Sequence, residues 1–186
     1  MATDSQESDS SRIAFGPPFA HSSGMSADIS IRHELYCGDL GRIVSLHGES
    51  YEPLGGYGLR FEAYVAQTIA EYVLDNDARG RIWLAEQGGR LIGCTAVALR
   101  DDNSAQIRWV VVDPSARGAG LGNELVGRAV DYCKAEARDS IYLFTTDGLA
   151  ESQSLYEKLG FRITSYETEE LWDGPRPHIR MQLDLA

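Results

Sequence analysis

Long hydrophobic runs are missing from this chain. No stretch of about 18 consecutive apolar residues occurs, which is the length a helix needs to cross a bilayer, so we expect no membrane partner. Cysteine is scarce as well: Cys37, Cys94 and Cys133 lie far apart in apolar surroundings, a pattern that predicts reduced core thiols of a cytoplasmic protein. The four histidines show no ligand spacing. We therefore expect neither a disulfide framework nor a bound metal.

Basic charge is the other shortage. The chain has 17 Lys and Arg residues against 28 Asp and Glu residues, which gives a formal net charge of −11. Binding to a nucleic-acid backbone needs a concentrated basic face, so the composition argues against a nucleic-acid partner. The same charge attracts cationic small molecules, and an anionic ligand has to be met by a local positive site.

The first residues differ in composition from the rest of the chain. Residues 1–12 are rich in Ser, Asp and Glu, and Pro17 and Pro18 interrupt any regular element that follows. We predict a disordered leader over residues 1–27, without the basic start and apolar block of a signal peptide, and one folded domain over residues 28–186. Met25 is an alternative start that would make residues 1–24 an upstream extension, and the sequence does not decide between the two.

Apolar periodicity predicts alternating strands and helices from residue 29 onward. Two helices are predicted before the second strand, the first capped by Asp39 and the second built on an apolar face that includes Phe61 and Ile69. A third helix is predicted to open at residue 121. The predicted strands cover residues 29–35, 81–87, 90–100, 105–112, 140–145, 162–170 and 179–185. A mixed sheet with one parallel crossover fits this order.

The most informative segment joins an apolar strand to a helix through a glycine-rich turn. The strand ends with Val110, Val111 and Val112, and the turn is formed by Arg117, Gly118, Ala119, Gly120, Leu121 and Gly122. Glycines let the backbone approach an anion closely and direct N–H groups toward it, and the dipole of the following helix adds attraction. The turn therefore predicts a phosphate-binding site.

Two well-known phosphate loops do not fit these residues. A nucleotide-triphosphate loop needs Lys and then Ser or Thr after its last glycine, whereas Asn123 and Glu124 follow Gly122. A dinucleotide-binding fingerprint places its third glycine three residues after the second, whereas Gly120 and Gly122 are two residues apart. The remaining pattern, Arg-x-x-Gly-x-Gly from Arg117, resembles the coenzyme A pyrophosphate loop of the GNAT superfamily of N-acetyltransferases.

A second motif lies downstream, in Leu155-Tyr156-Glu157-Lys158-Leu159-Gly160-Phe161. Locally it predicts a helix over residues 151–159 that Gly160 closes in the left-handed cap position. The motif resembles the GNAT segment that presents a tyrosine toward the thioester. Taken alone, Tyr156 would be a packing residue. With the loop before it, the resemblance implies that Tyr156 is the general acid for the departing thiolate, because a phenol stays neutral at pH 7.

The resemblance covers most of the chain, from about residue 29 to residue 185. It implies a mixed α/β fold of the GNAT type, with a central, mostly antiparallel sheet of six to seven strands flanked by about four helices. It also implies acetyl-CoA as co-substrate and a backbone N–H near Val110 to Val112 that stabilises the oxyanion. The chain departs from the common pattern at Leu149, where an Asn often touches the pantetheine arm.

The acceptor side is less clearly defined. Many GNAT enzymes carry a Glu on the fourth strand, whereas residues 106–109 offer no carboxylate. The region from His47 to Val65 resembles GNAT domains fused to MarR-type regulators in bacteria, which implies Glu62 as the base and Tyr51 as an acceptor contact. A solvated helix Glu with a water chain as base is the alternative. His47 is expected to be a core residue outside the site.

Further acceptor contacts are predicted on the fourth strand and near the C-terminus. Arg108 is suited to bind an acceptor carboxylate through paired hydrogen bonds, and Trp109 lines the acceptor cleft or packs in the core. The connector Trp172-Asp173-Gly174-Pro175-Arg176-Pro177 walls the acceptor pocket or forms a homodimer contact.

Two classes of function follow from these residues. The first is an acetyl-CoA-dependent N-acetyltransferase that acts on the primary amine of a small molecule, such as an amino acid or an amine-bearing toxin. The second is a non-catalytic acyl-CoA-binding sensor or interaction module, which the missing carboxylate on the fourth strand favours. Tyr156 favours the enzyme, because mere coenzyme binding does not need a proton donor.

Overall fold

The computed structural model describes residues 28–75 and 79–185. The predicted leader over residues 1–27 lies outside these described residues. Strands and helices follow one another in the predicted order: β1 (Ser30–Arg32), α1 (Asp39–Tyr51), α2 (Leu59–Leu74), β2 (Gly80–Gln87), β3 (Arg90–Leu99), β4 (Ser104–Val112), α3 (Leu121–Ala135), β5 (Ser140–Thr145), α4 (Ala150–Lys158), β6 (Arg162–Leu171) and β7 (Gly174–Asp184).

The strands of the described ranges form one seven-stranded sheet in the order β1-β2-β3-β4-β5-β7-β6. β4 and β5 are the parallel pair, joined by the crossover helix α3, and the other neighbours run antiparallel. The predicted mixed, mostly antiparallel α/β fold is confirmed. Gly88 and Gly89 form the two-residue turn between β2 and β3, where their φ angles of 58° and 80° suit glycine.

Helices cover both faces of the central strands. One face of the sheet packs against α3, whose buried side chains include Leu125, Val126 and Ala129. The other face packs against α1 and α2 through Ile43 and Val65, among others. Strands β3 and β4 are therefore buried on both sides, which explains their near-continuous apolar sequence. None of the helices in the described ranges is long and apolar enough to cross a membrane.

Asp39 does not cap α1 as predicted. Gly38 is the N-cap residue, with a left-handed φ of 96°, and Asp39 is the first helical residue. Its buried carboxylate instead accepts hydrogen bonds at 2.7 and 2.8 Å from Arg32, at the end of β1, and one at 2.8 Å from the Tyr36 N–H. Burial alone would raise the pKa of the Asp39 carboxyl, but these hydrogen bonds outweigh it and hold that pKa below its usual range.

Three other expectations differ from the structure. β1 has three residues instead of the seven predicted over residues 29–35. Cys37 is exposed, whereas Cys94 and Cys133 are buried as expected. Four of the six residues of the predicted connector belong to β7, which begins at Gly174. Pro175 and Pro177 fit into this strand because β5 pairs with β7 only from Ile179 onward, so the missing proline N–H groups lie on an open edge.

The Arg32–Asp39 ion pair yields a test of the fold. We expect Asp39→Asn to lower the free energy of unfolding by about 3 kcal/mol, because it removes the buried carboxylate shared by Arg32 and Arg42 and leaves Glu86 as their remaining carboxylate partner. Urea denaturation measures the loss. The control is Glu124→Gln, which breaks an exposed i,i+4 pair with Arg128 and should cost less than about 1 kcal/mol. Equal losses in the two variants would contradict a structural role for Asp39.

Candidate active site

The site forms where β4 and β5 separate. The two parallel strands pair only from Ser104 with Ser140 to Gln106 with Tyr142. Beyond that point, residues 106–110 of β4 and residues 143–146 at the end of β5 line a cavity of about 520 Å³. Other lining residues come from α1, α2, the loop between them, α4 and the β6–β7 hairpin: His47, Tyr51, Tyr57, Phe61, Tyr64, Val65, Leu149, Ser152, Tyr156, Glu169, Leu171, Trp172 and His178.

A β-bulge re-aims β4 beside this cavity. Thr95 of β3 stands opposite both Trp109 and Val110, and Trp109 has a φ of +49°, which is unusual for a bulky residue. The Trp109 indole is buried, donates a hydrogen bond at 3.1 Å to the Thr68 hydroxyl and packs edge-on against Tyr72. Trp109 is thus a core residue that also lines the cavity.

Tyr156 reaches the cavity from α4. Its ring is 5% exposed and packs edge-on against Phe161, with ring centroids 6.1 Å apart. Gly160 ends the helix with a left-handed φ of 93°, as predicted. Burial raises the pKa of the Tyr156 phenol, and nearby Tyr51 raises it further. The phenol therefore stays protonated at neutral pH and can act as a hydrogen-bond donor or a general acid.

Tyr51 lies at the C-terminal end of α1 and also lines the cavity. Its hydroxyl donates a hydrogen bond at 3.1 Å to the Val110 carbonyl, which ties α1 to the bulge of β4. Burial raises the pKa of Tyr51 to about 12, with a further increase from Tyr57 and an opposing effect of the Arg117 charge.

The glycine-rich turn between β4 and α3 presents unpartnered backbone donors. Gly120 is the N-cap residue of α3, no side chain caps the helix, and the first helical bond runs from the Glu124 N–H to the Gly120 carbonyl. Within the described part of the chain, the N–H groups of residues 118–123 have no hydrogen-bond partner. Gly118 and Gly120 have φ angles of 80° and 84°, and a Cβ at either position would meet open space.

One ion pair and two hydrogen bonds fix this turn in place. The buried Asp113 carboxylate accepts a hydrogen bond at 2.8 Å from the Ser115 N–H and pairs with Arg90. Arg117 is exposed, and its Nε donates to the Val112 carbonyl at 3.2 Å, which leaves its terminal nitrogens free. Six unpartnered N–H groups at the start of a 15-residue helix, beside a guanidinium, fit the pyrophosphate of coenzyme A.

Of the remaining predicted site residues, Arg108 lies in the cavity lining and Glu62 does not. Arg108 lines the cavity, as does Leu149, which stands where the family often has an Asn. Glu62 does not belong to the cavity lining: its carboxylate faces Gly48, where an added Cβ would lie 2.7 Å from its oxygen. Its role as base stays a prediction.

An aromatic wall is the main feature that sequence reasoning missed. Tyr57 and Phe61 pack against Trp172 with ring centroids 5.7 and 4.8 Å apart, and Tyr64 joins at 5.6 Å. The Asp173 carboxylate holds the hairpin in place by accepting a hydrogen bond from the Gly58 N–H at 2.9 Å. The connector therefore walls the cavity, one of its two predicted roles. The glycines around Tyr57 were the available signal, because they mark an irregular loop.

His47, which we excluded from the site on sequence grounds, lines the cavity. It is 3% exposed, and its Nδ1 lies 2.8 Å from the Ile43 carbonyl, so Nδ1 carries the proton. Its Nε2 is buried without a hydrogen-bond partner. Burial lowers the pKa of His47 to about 4, so the ring is neutral at pH 7.

This pKa predicts a pH dependence of stability. Between pH 6.5 and about 4 the unfolded chain protonates His47 and the folded chain does not, so the free energy of unfolding falls as the pH falls. His47→Gln retains a donor for Ile43 but takes up no proton. We expect the stability difference between wild type and variant to shrink steadily below pH 6.5, as measured by urea denaturation. A difference that is constant from pH 7.5 to 4.5 would contradict the assignment.

Comparisons with known proteins agree with this geometry. The family model described as acetyltransferase (GNAT) family matches residues 43–161. Over 97 residues the chain is 33% identical to mycothiol acetyltransferase of Thermomonospora curvata. The matched region covers 52% of this chain and 32% of that protein. Over 88 residues it is 33% identical to glucosamine 6-phosphate N-acetyltransferase of Trypanosoma brucei brucei, covering 44% of this chain and 58% of the relative.

The chain thus spans about a third of the first relative and somewhat more than half of the second. A Salmonella typhimurium structure solved with its cofactor acetyl-CoA superposes with a TM-score of 0.64, at 19% identity, over 86% of this chain and 95% of that one. At this identity the likeness establishes the fold. With the family model spanning most of the described residues, the chain belongs to the acetyltransferase (GNAT) family.

Proposed function

We propose that this protein transfers an acetyl group from acetyl-CoA to the primary amine of a small molecule. The observation that carries the proposal is the juxtaposition of two features: a turn with six unpartnered N–H groups beside Arg117, and a cavity that holds the protonated phenol of Tyr156. The names of the two relatives, both acetyltransferases, support acetyl transfer.

The turn and the end of β4 would hold the coenzyme. Arg117 and the N–H groups of Gly118 to Gly122 would meet the pyrophosphate charge, and the strand residues Val110 to Val112 would contact the rest of the bound coenzyme. Acetyl-CoA supplies an activated thioester when it is bound. A backbone N–H of the bulge region stabilises the negative charge that develops on the carbonyl oxygen.

Proton transfer is the task of the side chains around the cavity. An alkylamine has a pKa near that of Lys, about 10, so it is mostly protonated at pH 7 and must lose a proton before attack. A new C–N bond then forms and the C–S bond breaks. Tyr156 donates a proton to the departing sulfur. Each such proton transfer typically contributes about 100- to 10,000-fold in rate.

The base that accepts the amine proton is Glu62 or a water chain. Glu62 would have to act through water, because its carboxylate lies against Gly48 outside the cavity lining. His47 is a weak base at a pKa of about 4. The resemblance to MarR-fused GNAT domains, the cytoplasmic location, the leader over residues 1–27 and a homodimer stay predictions.

Coenzyme binding is tested by Gly120→Glu. We expect the Kd for coenzyme A, measured by calorimetry, to rise about 100-fold or more, because like charges about 4 Å apart near a protein surface repel by several kcal/mol. Gly38→Glu is the matched control: Gly38 is also a left-handed N-cap residue with open space around it, so it carries the same backbone strain. An unchanged Kd in folded Gly120→Glu would show that the pyrophosphate binds elsewhere.

The role of Tyr156 is tested by Tyr156→Phe, which keeps the ring and removes the hydroxyl. We expect kcat to fall about 10- to 1,000-fold while the Kd for acetyl-CoA stays nearly constant, since the hydroxyl acts on the leaving thiolate. Tyr132→Phe, on α3 against Trp83, is the control and should leave kcat unchanged. Turnover is measured by thiol release. Glu62→Gln is assayed in parallel: a lower rate supports Glu62 as the base, and an unchanged rate supports a water chain.

Two results would contradict these assignments. Turnover of Tyr156→Phe at the wild-type rate would remove the assigned acid. Absence of thiol release by the wild type, with intact coenzyme binding and a broad panel of amines, would favour the acyl-CoA-binding sensor.

A further inference from the structure

Arg108 is a cation without a carboxylate partner. It projects from β4 into the cavity lining, is half-buried, and its guanidinium lies 4.7 Å from the centroid of the Trp109 ring. Among the ion pairs of residues 28–75 and 79–185, none involves Arg108. A guanidinium that has lost part of its water gains most from an anion that accepts its paired N–H groups.

The other charged side chains of the cavity lining leave Arg108 without a carboxylate partner. Glu169 is the one carboxylate among the lining residues of the described cavity, and it lies 3.0 Å from Nδ1 of His178. The lining contains no Asp, Lys or second Arg. A chain with a net charge of −11 thus lines this cavity with a guanidinium that pairs with no carboxylate of the described residues. An anionic group on the ligand would supply the ion-pair partner that Arg108 lacks among the described residues.

Two further arginines extend the positive charge along the same sheet face. Arg180 lies 4.5 Å from the ring of Tyr142, which pairs in register with Gln106, and Arg100 donates to the Gln106 amide oxygen. Neither forms an ion pair with a described carboxylate. Neither of them belongs to the cavity lining, whereas Arg108 does.

The rest of the cavity is suited to an apolar side chain. The aromatic wall of Tyr57, Phe61 and Trp172 lines the side formed by the helices and the β6–β7 hairpin, while Arg108 stands on β4. Arg108 is also two residues from Val110, whose carbonyl accepts a hydrogen bond from the Tyr51 hydroxyl. An acceptor whose anion is bound by Arg108 therefore lies at the reacting end of the cavity.

We propose that the acceptor is an α-amino acid with an apolar or aromatic side chain, and that Arg108 binds its carboxylate. This proposal rests on the proposed acetyl transfer and names the substrate class of the same site. The planar fork of one guanidinium matches a carboxylate with two parallel hydrogen bonds. A phosphate dianion carries more charge than one guanidinium neutralises, which favours the carboxylate.

The test compares amino acids with the amines that lack their carboxylate. Acetyl transfer is measured with phenylalanine against phenethylamine and with methionine against 3-(methylthio)propylamine, while glucosamine 6-phosphate provides the phosphate arm. We expect the wild type to prefer the amino acids. Arg108→Gln should raise their KM about 10- to 150-fold, the range for hydrogen bonds to a charged group, and leave the amines and acetyl-CoA nearly unaffected.

Two further variants separate charge from packing. Arg108→Met keeps an apolar stem over Trp109 and should show the same selective rise in the KM for amino acids. It also provides the test if Arg108→Gln does not fold. Arg128→Gln, on the exposed side of α3, is the control and should match the wild type with every acceptor. Equal KM values for phenylalanine and phenethylamine in the wild type would overturn the proposal, as would a preference for glucosamine 6-phosphate.

A binding experiment distinguishes failure of this proposal from failure of acetyl transfer. Calorimetry with coenzyme A present compares N-acetylphenylalanine with N-phenethylacetamide, the corresponding product without a carboxylate. Tighter binding of N-acetylphenylalanine, lost in Arg108→Gln, would support the carboxylate site even if no amine were turned over. Equal binding of the two compounds would overturn it even if amines were acetylated.

Discussion

The separation of β4 from β5 is the constraint on which the rest of the site depends. Parallel strands normally keep pairing as long as both continue, because an unpaired backbone N–H or carbonyl away from water is costly. Here the ladder stops after Gln106 and Tyr142, and the bulge at Trp109 turns β4 aside. The groups released from the ladder find other partners, such as the Tyr51 hydroxyl on the Val110 carbonyl. The opening is thus built into the hydrogen bonding of the sheet.

Charge is distributed so that an acidic protein can receive an anionic coenzyme. The net charge of −11 would repel coenzyme A at long range, and attraction has to arise within the site. The helix terminus and Arg117 provide positive charge for the coenzyme at the turn, and Arg108 provides positive charge for the proposed acceptor in the cavity. Arg32, by contrast, is neutralised by Asp39 and Glu86 and holds β1, α1 and β2 together. Among the described residues, Arg32 is thus paired with carboxylates, whereas Arg108 and Arg117 form no ion pair and are proposed to bind ligands.

Burial controls the proton chemistry of the cavity. It raises the pKa values of Tyr51 and Tyr156 and lowers that of His47, so all three side chains are neutral at pH 7. Neutral groups suit a site in which an amine must lose its charge before it reacts, because they do not stabilise the ammonium form.

The sequence alone determined the order of elements, the turn at residues 117–122 and the motif around Tyr156, because each depends on local periodicity or on glycine at a fixed spacing. It also determined that Arg108 and Trp109 share a strand. Tertiary structure decided the rest. Asp39 was predicted to be a cap, but it pairs with Arg32 across a loop, and Trp172 reaches Phe61 from the far end of the chain. Glu62 faces Gly48 while His47 lines the cavity, because side-chain orientation depends on how α1 and α2 pack together on the sheet. Contacts of this kind join residues that are distant in sequence, and no local pattern encodes them.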